Sequence, residues 1–143
     1  MSIPESNLIM QIVLIIALSL HVLSSVFWAG TSFTLARTGG VGSDRLFRPQ
    51  MGAAVVAVLS GVYLWHSVHE GSFGTAEKIL AAGALAAVIA AGVQGAIGGR
   101  AIRSLRNGTA DEAGARSRLA TAQRIAAVLL AVTAVCMGAA RYA

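Results

Sequence analysis

His21 is the residue of this chain best placed to do chemistry. It lies near the middle of a charge-free stretch between Glu5 and Arg37. Ser24, Ser25, Trp28 and Ser32 follow it at steps of three, four, seven and eleven residues, spacings that share one face of a helix. An imidazole on such a polar and aromatic stripe, in an otherwise apolar helix, suits axial ligation of haem, ligation of a metal ion or relay of a proton. It also suits a histidine hydrogen-bonded across helices as packing glue. A polar ring is costly in hydrocarbon and usually faces the interior of a bundle, which favours a functional role.

His66, His69 and Glu70 form a second candidate. Residues 66 and 70 stack one helical turn apart, with 69 beside them. Imidazole and carboxylate donors suit Cu(II) or Zn(II). Cys136 and Met137, with Met10, are expected near the same membrane face, where soft sulfur would favour Cu(I). The spacing matches no standard metal motif, and polar residues are common where helices reach an interface. A single haem held by both His21 and His66 is disfavoured by depth. Ligating nitrogens on one iron lie only about 4 Å apart, whereas His66 is expected roughly 10 Å from the midplane at about 1.5 Å rise per residue. The other chemistry-bearing signatures are missing. Cys136 is the only cysteine, so no disulfide forms within the chain. There is no nucleophile motif, no phosphate-binding loop and no dinucleotide fingerprint.

The elements that must position these residues are long and apolar. Four segments, at about 8–35, 51–68, 79–99 and 121–140, approach the roughly 20 apolar residues that a membrane-spanning helix needs. Gly39, Gly40, Gly42 and Ser43 separate the first pair, and Gly71, Ser72 and Gly74 the second. Asn107 and Gly108 supply a helix stop. Thr109, three residues before Glu112, reads as a capping box for the fourth helix. Short connections make sequential helices antiparallel neighbours. The expected fold is therefore all-α: one domain over residues 1–143, an integral membrane up-down four-helix bundle. In the third segment Gly92, Gly95, Gly98 and Gly99 alternate with alanines, which suits close helix packing, while Gln94 is expected to hydrogen-bond across helices.

Composition agrees. Charged residues make up 12% of the 143 residues and apolar ones 56%, with a mean hydropathy of +0.72. A soluble domain carries about 25% charged residues. A soluble enzyme, a disordered tail and a disulfide scaffold are excluded on this ground. The net charge of +5 does not indicate nucleic-acid binding, because the bases sit in short connections rather than on one broad face. Nine arginines (37, 45, 48, 100, 103, 106, 116, 118 and 124) fall at one end of the expected bundle, and only Lys78 and Arg141 at the other. The positive-inside rule then predicts cytoplasmic arginine loops and both termini outside. Arg100, Arg103 and Arg106 share a face that suits anchoring, or a lipid-headgroup or partner patch.

The run LHVLSSVFWAGTSF (residues 20–33) resembles the first helix of the copper-resistance D (CopD)-like membrane domain superfamily, with Trp28 and Gly30 seven and nine residues after His21. RLFRPQM (residues 45–51) and SGVYLW (residues 60–65) are similar to the flanks of its second helix, and Lys78 stands where such proteins often carry lysine. The resemblance covers most of the first three helices and weakens in the fourth. It implies a four-helix membrane unit of periplasmic copper handling, related in layout to the HemJ-type haem-binding membrane oxidases. The chain lacks the Tyr-His that such oxidases tend to carry after their first helix and the histidine within their third.

Together these readings describe a multi-pass protein of a bacterial inner membrane that binds haem b or copper through His21, for electron transfer or copper handling. Trp28, Ser25 and Lys78 are the accompanying cofactor-binding candidates. His66, His69, Glu70, Cys136 and Met137 are further metal-ligand candidates. The alternative is an accessory subunit without catalysis, packed through its small-residue faces as a homodimer or in a larger membrane complex. Enzymatic activity, if any, would be that of a membrane oxidoreductase. The orientation predicts that a reporter active only in the cytoplasm stays silent when fused after Ala143, and that one active only outside is functional there.

Overall fold

Alanine- and leucine-rich segments without interior breaks favour continuous helix, and the chain forms little else. The computed structural model describes residues 5–68, 74–109 and 111–143. Helix α1 covers Glu5–Arg37, α2 covers Ser43–Val68 and α3 covers Thr75–Val93. A π-helical turn over Gln94–Gly98 and then α4, Gly99–Arg106, continue α3 as one span, and α5 covers Glu112–Ala140. These four spans are each long and apolar enough to cross a membrane. Large apolar side chains such as Leu23, Val26, Leu59 and Val135 are exposed on their outer faces. The chain is thus an all-α four-helix bundle and a multi-pass membrane protein.

The helices extend beyond the apolar windows expected for them. Backbone groups remain best satisfied inside a helix after the apolar run has ended, and arginine is a good helix former. α2 therefore starts at Ser43, before Arg45, Arg48 and Pro49. At the end of α4, Gly108 (φ +65°) makes the expected stop: its N–H donates to the Leu105 carbonyl at 3.2 Å, and the Thr109 N–H donates to that of Ser104 at 3.1 Å. This corrects the expected cap of the next helix. Thr109 is absorbed in the stop, with its hydroxyl also donating to Ser104 O at 3.3 Å. Asp111 caps α5 instead, accepting the Gly114 N–H at 3.2 Å.

α1 packs against α2 and α5, and α3 against α5, all antiparallel, while α2 and α3 touch much less. The turn after α1 is pinned to α5 at Gly40, where φ is +82° and an added Cβ would lie 3.3 Å from the Ala120 nitrogen. In the core the indole of Trp28 sits among Ala54, Ala57, Ala90, Ala126 and Leu130. In lipid, such packing stabilises through dispersion rather than through exclusion of water.

On the arginine-bearing side of that indole, a network of side-chain amides joins all four spans. Trp28 Nε1 donates to Gln94 Oε1 at 2.6 Å. Gln94 Nε2 donates to Ser32 Oγ at 2.9 Å and to Gln123 Oε1 at 2.8 Å. Gln123 Nε2 donates to Gln50 Oε1 at 3.0 Å, and Gln50 Nε2 returns to Gln123 Oε1 at 3.1 Å and to Ser32 Oγ at 3.0 Å. The Ser32 hydroxyl donates to the Trp28 carbonyl at 2.8 Å. Gln50 and Gln94 have no solvent-accessible surface, and Gln123 has 2%. Every member therefore has a partner where water is excluded.

The π turn places Gln94 in this network. The buried face of the third span runs Ala90, Gln94, Gly98. Those two steps take eight residues, whereas two α-helical turns take about 7.2. The wider turn absorbs the excess and keeps both glutamine and glycine against α5.

Replacing Gln94 by leucine strands the Trp28 N–H and a Gln123 oxygen lone pair. The expected loss is about 1–3 kcal/mol, read as a lower unfolding midpoint in detergent, while Gln11→Leu on the exposed face of α1 leaves the midpoint in place.

Candidate functional site around His21

His21 lies on α1 where α2 crosses it, half-buried between the two helices. Its Nδ1–H donates to the Ala57 carbonyl at 2.8 Å and lies 3.3 Å from Ser60 Oγ. The Ser60 hydroxyl in turn donates to the Val56 carbonyl at 2.6 Å. The carbonyl can only accept, so this contact places the proton on Nδ1 and, in the neutral ring, leaves Nε2 with its lone pair. Gly61 makes the close approach possible: a Cβ there would stand 3.0 Å from His21 Cε1. The Nδ1–Cε1 edge of the ring is thus held against the α2 backbone, and Nε2 is the nitrogen left for another task.

The rest of the stripe divides between roles. Ser24 returns its hydroxyl to the Leu20 carbonyl at 2.6 Å, within its own helix. Ser25 is half-buried. Trp28 is 2% exposed, its N–H is committed to Gln94, and Ser32 belongs to the amide network. The polar face expected of α1 therefore splits, with His21 serving the contact with α2 and Trp28 and Ser32 serving the centre.

The outer donors among the described residues are dispersed. His66 is exposed near the end of α2, and Lys78 is exposed in the first turn of α3. Cys136 is half-buried against α3, with its Cβ 2.9 Å from where a Cβ on Gly83 would stand, and Thr133 one turn earlier donates to the Gly83 carbonyl at 2.9 Å. Met137 and Met10 point outward, 39% and 61% exposed. His69 and Glu70 lie outside the described residues. Among the described residues no three His, Cys, Asp or Glu side chains gather as a metal-binding group. His21 and Cys136 face different neighbours, α2 and α3.

No family model, curated protein or solved structure matches the chain. One imidazole has a fixed tautomer and a backbone carbonyl on its far nitrogen, which is the outer-shell arrangement that orients histidine ligands.

Sequence reasoning singled out His21 but not its partners on α2. The signal was the Ser60-Gly61 pair inside an otherwise apolar window: a small hydroxyl beside a residue without a side chain marks a place where another group can approach a helix backbone. Gln50 and Gln123 were missed because each lies at the arginine-rich edge of its span, where a polar residue looks solvated.

Gly61→Val is expected to push the imidazole off Ala57, lowering stability by about 1–3 kcal/mol and changing the ¹⁵N shifts of the His21 ring. Gly52→Val, where an added Cβ meets nothing within 4 Å, is the matched control and leaves those shifts unchanged.

Proposed function

We propose that this protein is a haem-b-binding membrane bundle acting in electron transfer, in which His21 would hold the haem iron through Nε2. The hydrogen bond from His21 Nδ1 to the Ala57 carbonyl carries this reading. It fixes the tautomer and aims the ring, two things such an acceptor does for a ligating histidine. Haem needs one such nitrogen from the chain, and among the described residues no three His, Cys, Asp or Glu side chains gather as a metal-binding group. When bound, haem supplies one-electron redox chemistry at its iron. The chain's own part is to hold the imidazole: Ala57 accepts its proton-bearing nitrogen, and Gly61 admits its edge. The nine arginines support an orientation with their loops in the cytoplasm of a bacterial inner membrane and both termini outside.

A second reading has its own observation. The bundle centre is filled by alanines, one indole and a hydrogen-bonded amide network, the construction of a scaffold. In that case the protein is an accessory subunit of a larger membrane complex, and His21 is interhelical glue between α1 and α2.

Absorption spectra of detergent-purified protein from haem-replete cells separate the two. A Soret band of about one haem per chain, abolished in His21→Ala and retained in His66→Ala, is the expected result. A colourless protein that purifies with one stable membrane partner replaces the haem reading with the scaffold reading.

A further inference from the structure

The sparse contact between α2 and the third span leaves an open groove at the arginine-bearing end. It encloses about 1010 Å³. Its floor is apolar, made by Phe47 and Met51 of α2 and by Gly95 and Ile102 of the third span. Its mouth carries Arg48, Arg103 and Arg106 against a single acid, Asp44. The three guanidinium groups are exposed, and none has an ion-pair partner among the described residues. Gly95 opens the floor: a Cβ there would meet nothing within 4 Å.

We propose that this groove binds an anionic phospholipid of the leaflet at the arginine-bearing end. Charge complementarity at a fixed depth favours this occupant. Gly95 and Arg106 are eleven residues apart, roughly 16 Å along the span at about 1.5 Å per residue. A cationic mouth above an apolar trough, set in a membrane-spanning chain, therefore matches a lipid with its phosphate at the arginines and an acyl chain along Met51 and Gly95. Arginine forks pair with phosphate oxygens in two-point geometry, and basic pockets between spans are suited to acidic headgroups. The excess of three bases over one acid selects against zwitterionic lipid. The groove is separate from the His21 contact, which lies on the α1-facing side of α2 and nearer its other end.

The test titrates the full-length protein in neutral detergent with phosphatidylglycerol, phosphatidylcholine or glycerol 3-phosphate, following lipid retention by native mass spectrometry and the unfolding midpoint. Phosphatidylglycerol is expected to bind roughly tenfold more tightly than phosphatidylcholine. Arg48→Gln/Arg103→Gln/Arg106→Gln removes that preference. Arg37→Gln/Arg118→Gln/Arg124→Gln, with the same change in net charge away from the groove, keeps it. Gly95→Leu fills the floor and weakens retention of both lipids while its helical circular dichroism stays intact, which keeps the test decisive if the arginine variant fails to fold. Equal retention of the two lipids, equal loss of the preference in both triple variants, or glycerol 3-phosphate binding as tightly as the lipid overturns the proposal.

Discussion

A primary amide buried in a bilayer must find its partners inside the protein, and this fold is arranged around three that do. Gln50, Gln94 and Gln123 come from α2, the π turn and α5, and Ser32 and Trp28 bring in α1. Each interhelical hydrogen bond is worth only about 0.6 kcal/mol on average in a membrane protein. The larger effect is exclusion of alternatives. Rotating any one helix by a single residue would leave donors and acceptors unpaired, at about 1–3 kcal/mol each. The many alanine faces of this chain are nearly interchangeable as packing surfaces. The amides therefore set the register, and the alanines follow.

His21 inherits its position from that register. Trp28 lies seven residues further along α1, close to two turns, so fixing the indole toward Gln94 also fixes the rotation of the helix at His21. The imidazole then meets α2 at the one place where Ser60 and Gly61 leave its backbone reachable. The network and the histidine are consequently linked by helix rotation without touching.

The four spans were legible because a run of apolar residues long enough to cross a membrane has few other uses. The bundle's antiparallel order followed from its short connections. The stop at Gly108 was readable for the same kind of reason, since a glycine in the left-handed region has a specific task. The cap at Asp111 was misplaced at Thr109 because a capping-box pattern cannot tell which of two consecutive motifs owns a shared residue. The candidate site was half legible. A mid-membrane histidine announces itself by type, whereas its acceptor is a backbone carbonyl, which every residue possesses. The amide network was the least visible part. Gln50 follows Arg48 and Pro49, and Gln123 precedes Arg124, so local composition marks both as interfacial, and only packing in three dimensions takes them inside.

The π turn over Gln94–Gly98 has a consequence for how the chain can change over generations. A turn of this kind holds one residue more than the α-helix around it needs, so it stands as an insertion accommodated within a span instead of in a loop. Each helical residue advances the chain by about 100°. Losing one residue here would restore a regular helix with α4 in nearly its present orientation, whereas losing one from the α-helical turns beside it would swing α4 by about that angle, carrying Arg103 and Arg106 away from Arg48. Gain or loss of a codon is usually tolerated at loop tips. In this protein the length of the third span is itself a coded quantity, and the spacing between the amide that locks the bundle and the arginines at its edge is what that length encodes.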